Sequence, residues 1–265
     1  MEIRYFGWSG VTVAHGNALV AFDIPGEAGW RAPLTPFRTV FCVTHGHLEH
    51  CSSMPGLEKR AGEGRFDLIS SVPVIEYARK VSLLSAVQMH ALAGEEVIDL
   101  DGTVVTAIAW EHMALLPPGL PAKVRHLAHL ASRPLDLIRI VAGGSKPPRH
   151  APTLGFHVKF PDGKTLLNYS EGLHRHADES GVRRIAANFP ADILLAAVEP
   201  EDAGILPKWI GILKPKEVFL YEAHRLWREK FKMSCLDLES YVRKISGRLK
   251  GIRFHSLSPG QTTLL

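Results

Sequence analysis

Thr44-His45-Gly46-His47-Leu48-Glu49-His50 places three histidines and a carboxylate within six residues. The stretch follows the apolar run Val40-Phe41-Cys42-Val43, which has the composition of a buried strand. Imidazole and carboxylate groups are ligands for zinc, iron, manganese and nickel. The pattern therefore predicts a strand that ends in a metal-binding turn. A helix predicted at residues 56–60 would place this turn at a helix N-terminus.

The composition is that of an ordinary globular protein, with 46% hydrophobic and 22% charged residues in a chain of 265. The net charge of +4 favours an anionic small-molecule substrate. Basic residues at 225–232 and 244–250 alternate with apolar ones, which indicates solvated helix faces and no nucleic-acid track. Three cysteines without a CxxC pair, and no apolar run of the ~20 residues that a membrane span needs, predict a cytoplasmic protein without a membrane span.

Later in the chain, other apolar runs with the composition of strands also end near histidines or carboxylates. Three of them are followed within three residues by a histidine or a carboxylate, namely His112, Glu171 and His224. In layered α/β proteins, sites form on the loops beyond the carboxyl ends of strands. We therefore expect these side chains to share one metal site with the first histidine turn.

Other polar residues leave alternatives open. Asp23, after the third predicted strand, either orients a ligand histidine or begins a turn before Pro-Gly. His90 has no nearby partner and is predicted to be structural. His126 and His129 either form a second metal pair or belong to a solvated helix face. Ser9 is not expected to be a nucleophile. The glycines around it are not spaced as in a nucleophile elbow, and no helix is predicted to follow it.

Taken together, these motifs resemble those of a metallo-β-lactamase-fold hydrolase, and within that group the L-ascorbate-6-phosphate lactonase-like branch. The resemblance rests on residues 4–10, on Asp23-Ile24-Pro25 and on residues 43–47, and it covers the chain except for residues 113–150. It implies an α/β fold, a four-layer αβ/βα sandwich formed as a single domain over residues 1–265. Residues 113–150 would be an inserted helical lid or dimer arm, and a homo-oligomer stays open.

The resemblance also implies a ligand set. One or two divalent ions are expected, with zinc first and manganese, iron or nickel as alternatives. The first ion would be held by His45, His47 and His112. The second would be held by Glu49, His50 and His224. Glu171 would be the bridging acid, and Glu49 and Glu171 would be the catalytic carboxylates beside a metal-activated water.

Two departures from the family pattern bear on this site. Glu49 stands where the family has aspartate, and one added methylene moves a carboxylate by about 1.5 Å. Alignment on Gly172 puts Ser170 at the bridging position and Glu171 one residue later. Because neighbouring strand residues face opposite ways, Glu171 can bridge only if the strand end twists or bulges.

Two functions follow from these observations. The first is a metal-dependent hydrolase of a phosphoester or lactone, with a phospholipid-type phosphodiesterase as a variant supported by the apolar helix predicted at residues 122–140. The second is a catalytically degenerate protein of the same fold that binds a ligand or partner. Glu49 and Ser170 motivate this alternative.

Overall fold

Two seven-stranded sheets form the centre of the computed structural model. It describes residues 1–28, 30, 38–55, 66–81, 87–112, 124, 128, 130–131, 133–135, 138, 147–148 and 150–265. The first sheet has the order β14-β1-β2-β3-β4-β5-β6. Its strands are β1 (Glu2–Gly7), β2 (Gly10–His15), β3 (Ala18–Phe22), β4 (Arg38–Cys42), β5 (Phe66–Ser71), β6 (Val87–Leu92) and β14 (Thr262–Leu264).

The second sheet has the order β13-β12-β11-β10-β9-β8-β7. Its strands are β7 (Val97–Leu100), β8 (Thr103–Trp110), β9 (Thr153–Lys159), β10 (Thr165–Asn168), β11 (Ile193–Ala197), β12 (Glu217–Tyr221) and β13 (Arg253–Ser256). Neighbours from β3 to β6 and from β10 to β13 are parallel, whereas β1–β3 and β7–β10 pair antiparallel. The carboxyl ends of the parallel strands in each sheet therefore lie at one edge.

Helices cover the outer faces of the sheets. They are α1 (Leu48–Cys51), α2 (Val72–Val81), α3 (Glu179–Asn188), α4 (Leu206–Leu213), α5 (Arg225–Lys230) and α6 (Leu238–Ser246). Strands such as β3 and β11 are buried at every position, because one face meets the other sheet and the other face meets helices. This arrangement is the predicted four-layer α/β sandwich.

The core between the sheets consists of apolar side chains from both. The rings of Phe22 and Phe156 lie 6.2 Å apart, and those of Tyr5 and Tyr221 lie 5.1 Å apart. The backbone amide of Leu154 donates to the carbonyl of Thr44 at 2.8 Å and ties the two sheets together beside the histidine turn. Within the part of the chain that is described, no helix is both long and apolar enough to span a membrane.

Several local expectations need correction or lie outside the described residues. The helix after the histidine turn begins at Leu48, inside the motif, and residues 56–60 are outside the described ranges. Strand β14 was not expected from the sequence. His90 is not without a partner, because its Nε2 lies 2.8 Å from Oδ1 of the buried Asp67.

The predicted lid lies largely outside the described ranges. His126 and His129 belong to its undescribed part, whereas Val124, Leu130 and Leu135 are helical. The lid over residues 113–150 therefore stays a prediction.

Candidate metal centre

The candidate site lies where strands of both sheets end. Beyond β4 the chain gives His45 and His47 and enters α1, which carries Glu49 and His50. His112 follows β8, Glu171 follows β10 and His224 follows β12. Because β8, β10 and β12 run in the same direction, their ends meet at one edge of the second sheet. The seven residues expected from the sequence therefore converge.

Gly46 gives the histidine turn its shape. A Cβ atom at this position would lie 2.0 Å from the backbone carbonyl oxygen of Pro148, closer than any real contact. Only glycine allows this approach, which brings the segment before β9 against the turn. The turn between His45 and His47 is thus held by backbone packing as well as by side chains.

Three histidines form the first half of the site. One ring nitrogen from each of His45, His47 and His112 lies within 4.8 Å of the other two. His45 is buried, and its Nε2 lies 3.1 Å from Nδ1 of His47. Three imidazoles with a fourth position left open are a common donor set for a catalytic divalent ion.

The second half of the site combines histidines with carboxylates. His45, His50 and Glu171 are buried, and their ligand atoms lie within 4.8 Å of one another. Oε1 of Glu171 lies 3.7 Å from Nε2 of His50 and 3.9 Å from Nε2 of His224. Oε1 of Glu49 lies 4.0 Å from each of the same two nitrogens.

These separations suit a shared ion. Two donors bound at about 2.1 Å to a tetrahedral ion lie about 3.4 Å apart, slightly less than the separations found here. His50 Nε2 is buried and, among the described residues, has no hydrogen-bond partner. A buried ring nitrogen without a partner is costly, and coordination to a metal ion would satisfy it. The donor set therefore fits divalent metal ions.

Glu171, and not Ser170, takes the position expected of the bridging acid. Ser170 has φ +45°, a left-handed conformation that turns the chain as it leaves β10. Its amide donates to Oδ1 of Asn168 at 3.1 Å, which holds the turn. Glu171 then faces both halves of the site, since its Oε2 lies 4.0 Å from Nε2 of His112. The turn at the end of β10 thus gives Glu171 the orientation that a bridging role, which stays a prediction, would need.

Asp23 orients one of the histidines. Its Oδ2 lies 3.0 Å from Nδ1 of the buried His50 and accepts the Thr44 hydroxyl at 2.8 Å. Its Oδ1 accepts the Thr44 amide at 2.8 Å. A carboxylate on Nδ1 leaves Nε2 to face a metal ion. Of the two explanations for Asp23, the structure supports orientation of a histidine.

Glu199 orients His224 in the way that Asp23 orients His50, and the sequence did not lead us to expect this role. Its Oε1 lies 3.0 Å from Nδ1 of His224, and its Oε2 accepts Nε of Arg228 at 2.8 Å. The available signal was an acid just beyond strand β11, before Pro200, which is the same pattern as Asp23 beyond β3.

The two halves of the site hold protons differently. Burial, with the neighbouring histidines, lowers the pKa of His45 well below its usual value, and burial lowers that of His47 to about 4. Burial also opposes charge on His50, but the carboxylates of Asp23, Glu171 and Glu49 together outweigh it and raise the pKa to about 9. Burial likewise opposes charge on His224, but Glu199, Glu171 and Glu49 together raise its pKa to about 10. Without a metal ion, His45 and His47 are therefore neutral at pH 7, whereas His50 and His224 are protonated.

Two further histidines, His174 and His15, make other contacts. His174 Nε2 lies 2.9 Å from the Glu111 carbonyl, and its Nδ1 accepts the His176 amide at 3.1 Å. His15 pairs with Asp162 at 2.7 Å on the surface. These residues lie outside the two metal-binding groups.

No protein-family model and no curated protein matches the sequence. Solved structures do match. A metallo hydrolase, Igni18 from Ignicoccus hospitalis KIN4/I, is 15% identical with a TM-score of 0.63, covering 99% of this chain and 97% of its own. YhfI from Bacillus subtilis, a metallo-β-lactamase-fold protein, is 10% identical with a TM-score of 0.63, covering 99% of each chain. A diphosphatase from the PhnP family is 15% identical with a TM-score of 0.53, covering 96% of this chain and 82% of its own.

The chain therefore has the metallo-β-lactamase fold. At these identities the likeness concerns the fold, and the resemblance to the lactonase-like branch stays a prediction. A cluster of histidines and glutamates capable of binding divalent metal ions lies at the edge where the strands of this fold end.

Proposed function

We propose that this protein is a metal-dependent hydrolase of a small anionic phosphoester, with a lactone as the alternative substrate class. The observation that carries the proposal is the convergence of seven donor residues from both sheets onto one edge, with ligand atoms 3.7–4.0 Å apart across the second half of the site. A histidine with only a structural role would have both ring nitrogens hydrogen-bonded to the protein, as His174 has. Nε2 of His50 has no such partner among the described residues.

The proposed ligands divide between two positions. His45, His47 and His112 hold the first ion, and Glu49, His50 and His224 hold the second. Glu171 is shared, because its Oε1 faces His50 and His224 while its Oε2 faces His112. Bound divalent ions lower the pKa of a water molecule and polarise the oxygen of the bond under attack. Zinc suits these donors, and so do manganese, iron and nickel.

The phosphoester class is favoured over the lactone by two observations. A diphosphatase shares the fold. The net charge of +4 attracts anions.

The predicted lid at residues 113–150 would cover the site and select the substrate. A reducing compartment such as the cytoplasm suits the free thiols of Cys42, Cys51 and Cys235.

Elemental analysis of the purified protein, combined with a hydrolysis assay, tests this proposal. We expect about two equivalents of transition metal per protein chain. We also expect the protein to hydrolyse p-nitrophenyl phosphate monoesters or diesters faster than it hydrolyses lactones. His47→Ala should abolish hydrolysis and remove metal, while His15→Ala, on a surface hairpin, should change neither. Less than about half an equivalent of metal in the wild type would refute the proposal.

Glu49 motivates a second candidate, a metal-binding protein that binds a ligand without turnover. Glutamate replaces the expected aspartate, yet its Oε1 still lies 3.7 Å from Nδ1 of His47. Full metal content without hydrolysis of any phosphoester or lactone would favour this candidate over the enzyme.

A further inference from the structure

Ser9 reaches the candidate metal centre from the other end of the chain. Its hydroxyl donates to Oε1 of Glu171 at 3.1 Å, across 162 residues of sequence, and Ser9 is only 1% exposed. This oxygen is the one that faces His50 and His224. Ser9 therefore contacts the carboxylate proposed to be shared by the two ions.

The hairpin that carries Ser9 is held by backbone pairing and by close packing. Trp8 and Ser9 connect β1 to β2 between the paired residues Gly7 and Gly10. Gly7 and Trp8 adopt positive φ angles of 96° and 51°, and the Tyr5 hydroxyl donates to the Trp8 carbonyl at 2.7 Å. A Cβ at Gly10 would lie 2.5 Å from Cδ of Pro25, so the turn packs directly on the segment after β3.

Glu171 needs such a contact because it is a glutamate placed one residue after the expected aspartate. Its side chain has one more torsion to fix, and the terminal carboxylate torsion is broad. A donor on Oε1 sets the carboxylate plane and leaves Oε2 to face His112. Loss of a contact of this kind typically lowers metal affinity by about 10–100-fold.

We propose that Ser9 is a positioning residue that fixes the two oxygens of Glu171 on opposite halves of the metal centre. The inference rests on the proposed function, since it assigns Glu171 to both ions. A merely structural role would make Ser9 a buried hydroxyl whose hydrogen bond contributes to folding stability alone. The two roles differ in their effect on the second ion.

The test is a titration of cobalt(II) alone into the metal-depleted full-length protein, followed by calorimetry and by visible absorption of the bound ion. For Ser9→Ala we expect about 10–100-fold weaker binding at the second position. The loss at the first position should be smaller, because three histidines still hold that ion. The cobalt spectrum of the second ion should also change. Ser9→Thr, which keeps the hydroxyl, should restore binding.

Ser246→Ala is the matched control. Its hydroxyl donates to the Val242 carbonyl at 2.8 Å on α6, outside the site, so cobalt binding should be unaffected. Thermal unfolding of each metal-free variant reports whether it folds. If Ser9→Ala does not fold, Ser9→Cys, which keeps the volume with a weaker donor, replaces it under the same criteria.

A cobalt isotherm and spectrum of Ser9→Ala identical to the wild type would overturn the role of Ser9 and leave the proposed function intact. A wild-type protein that takes up no cobalt would overturn the proposed function, and the role of Ser9 with it. The two failures are therefore distinguishable in one experiment.

Discussion

Nδ1 of His224 lies 3.0 Å from Oε1 of Glu199, an acid one strand away in the same sheet. The first sheet repeats the relationship, with Nδ1 of His50 at 3.0 Å from Oδ2 of Asp23. Each sheet thus contributes a strand-end carboxylate that engages Nδ1 of a histidine and directs Nε2 to the centre. Such carboxylates fix the tautomer and raise the basicity of a metal-binding imidazole.

Glu199→Gln should weaken binding of the second ion by about 10–100-fold, because the amide no longer stabilises the orientation and charge of His224. Calorimetric titration of the metal-free protein measures this. The control is Glu201→Gln, which alters the exposed carboxylate paired with the other end of Arg228. Equal affinities in the two variants would contradict a role for Glu199 in metal binding.

Removing the Glu199 charge should also destabilise the fold. Arg228 is buried and would lose its partner on Nε, and breaking one side of a buried ion pair costs about 3–5 kcal/mol. Because Glu201 still pairs with Arg228, we expect the free energy of unfolding to fall by about 3 kcal/mol or less. Urea unfolding of metal-free Glu199→Gln, compared with Glu201→Gln, checks the difference.

Gly46→Ala should displace the histidine turn, because the added Cβ would lie 2.0 Å from the Pro148 carbonyl oxygen. We expect a destabilisation of about 1–3 kcal/mol together with loss of the three-histidine position. Gly211→Ala is the control, since its Cβ would meet only Cδ2 of Leu249 at 3.7 Å. Full metal content in Gly46→Ala would show that the turn tolerates a different conformation.

Much of this site was predictable from the sequence, and the reason is topological. Apolar runs followed by His112, Glu171 and His224 mark strand ends, and parallel strands bring such ends to one edge. The turn at Ser170 was not predictable, because a left-handed serine goes against its intrinsic preference. The contact of Ser9 with Glu171 was not predictable either, since no local pattern encodes a pairing across 162 residues.

Uptake of the two ions should depend differently on pH. His50 and His224 have pKa values raised to about 9 and about 10, so both are protonated at neutral pH before the metal binds. An ion that binds both must displace two protons, and its apparent affinity should rise up to about 100-fold per pH unit between pH 7 and 9. The pKa of His47 is lowered to about 4, so binding at the three-histidine position displaces no proton from this residue.

Calorimetry in buffers with different ionisation enthalpies counts the protons released by each ion. The sign follows from the raised pKa values, because a protonated histidine competes with the metal until the pH exceeds its pKa, about 9 for His50 and about 10 for His224. Equal proton release at the two positions would show that His50 and His224 do not bind the same ion.

Glu49→Asp tests whether the site is built around glutamate. Oε1 of Glu49 lies 4.0 Å from Nε2 of both His50 and His224, and Glu171 also reaches the centre through a glutamate side chain. Shortening residue 49 by one methylene withdraws its carboxylate by about 1.5 Å, out of reach of an ion placed between these nitrogens.

We therefore expect Glu49→Asp to lower the affinity for the second ion and to reduce hydrolysis sharply, with the first ion retained. Calorimetric titration and the phosphodiester assay measure the two effects separately. Glu201→Asp, an exposed carboxylate shortened by the same methylene, should leave both unchanged. Increased activity in Glu49→Asp would instead mean that aspartate, as in the family pattern, is the better ligand and that Glu49 weakens the site.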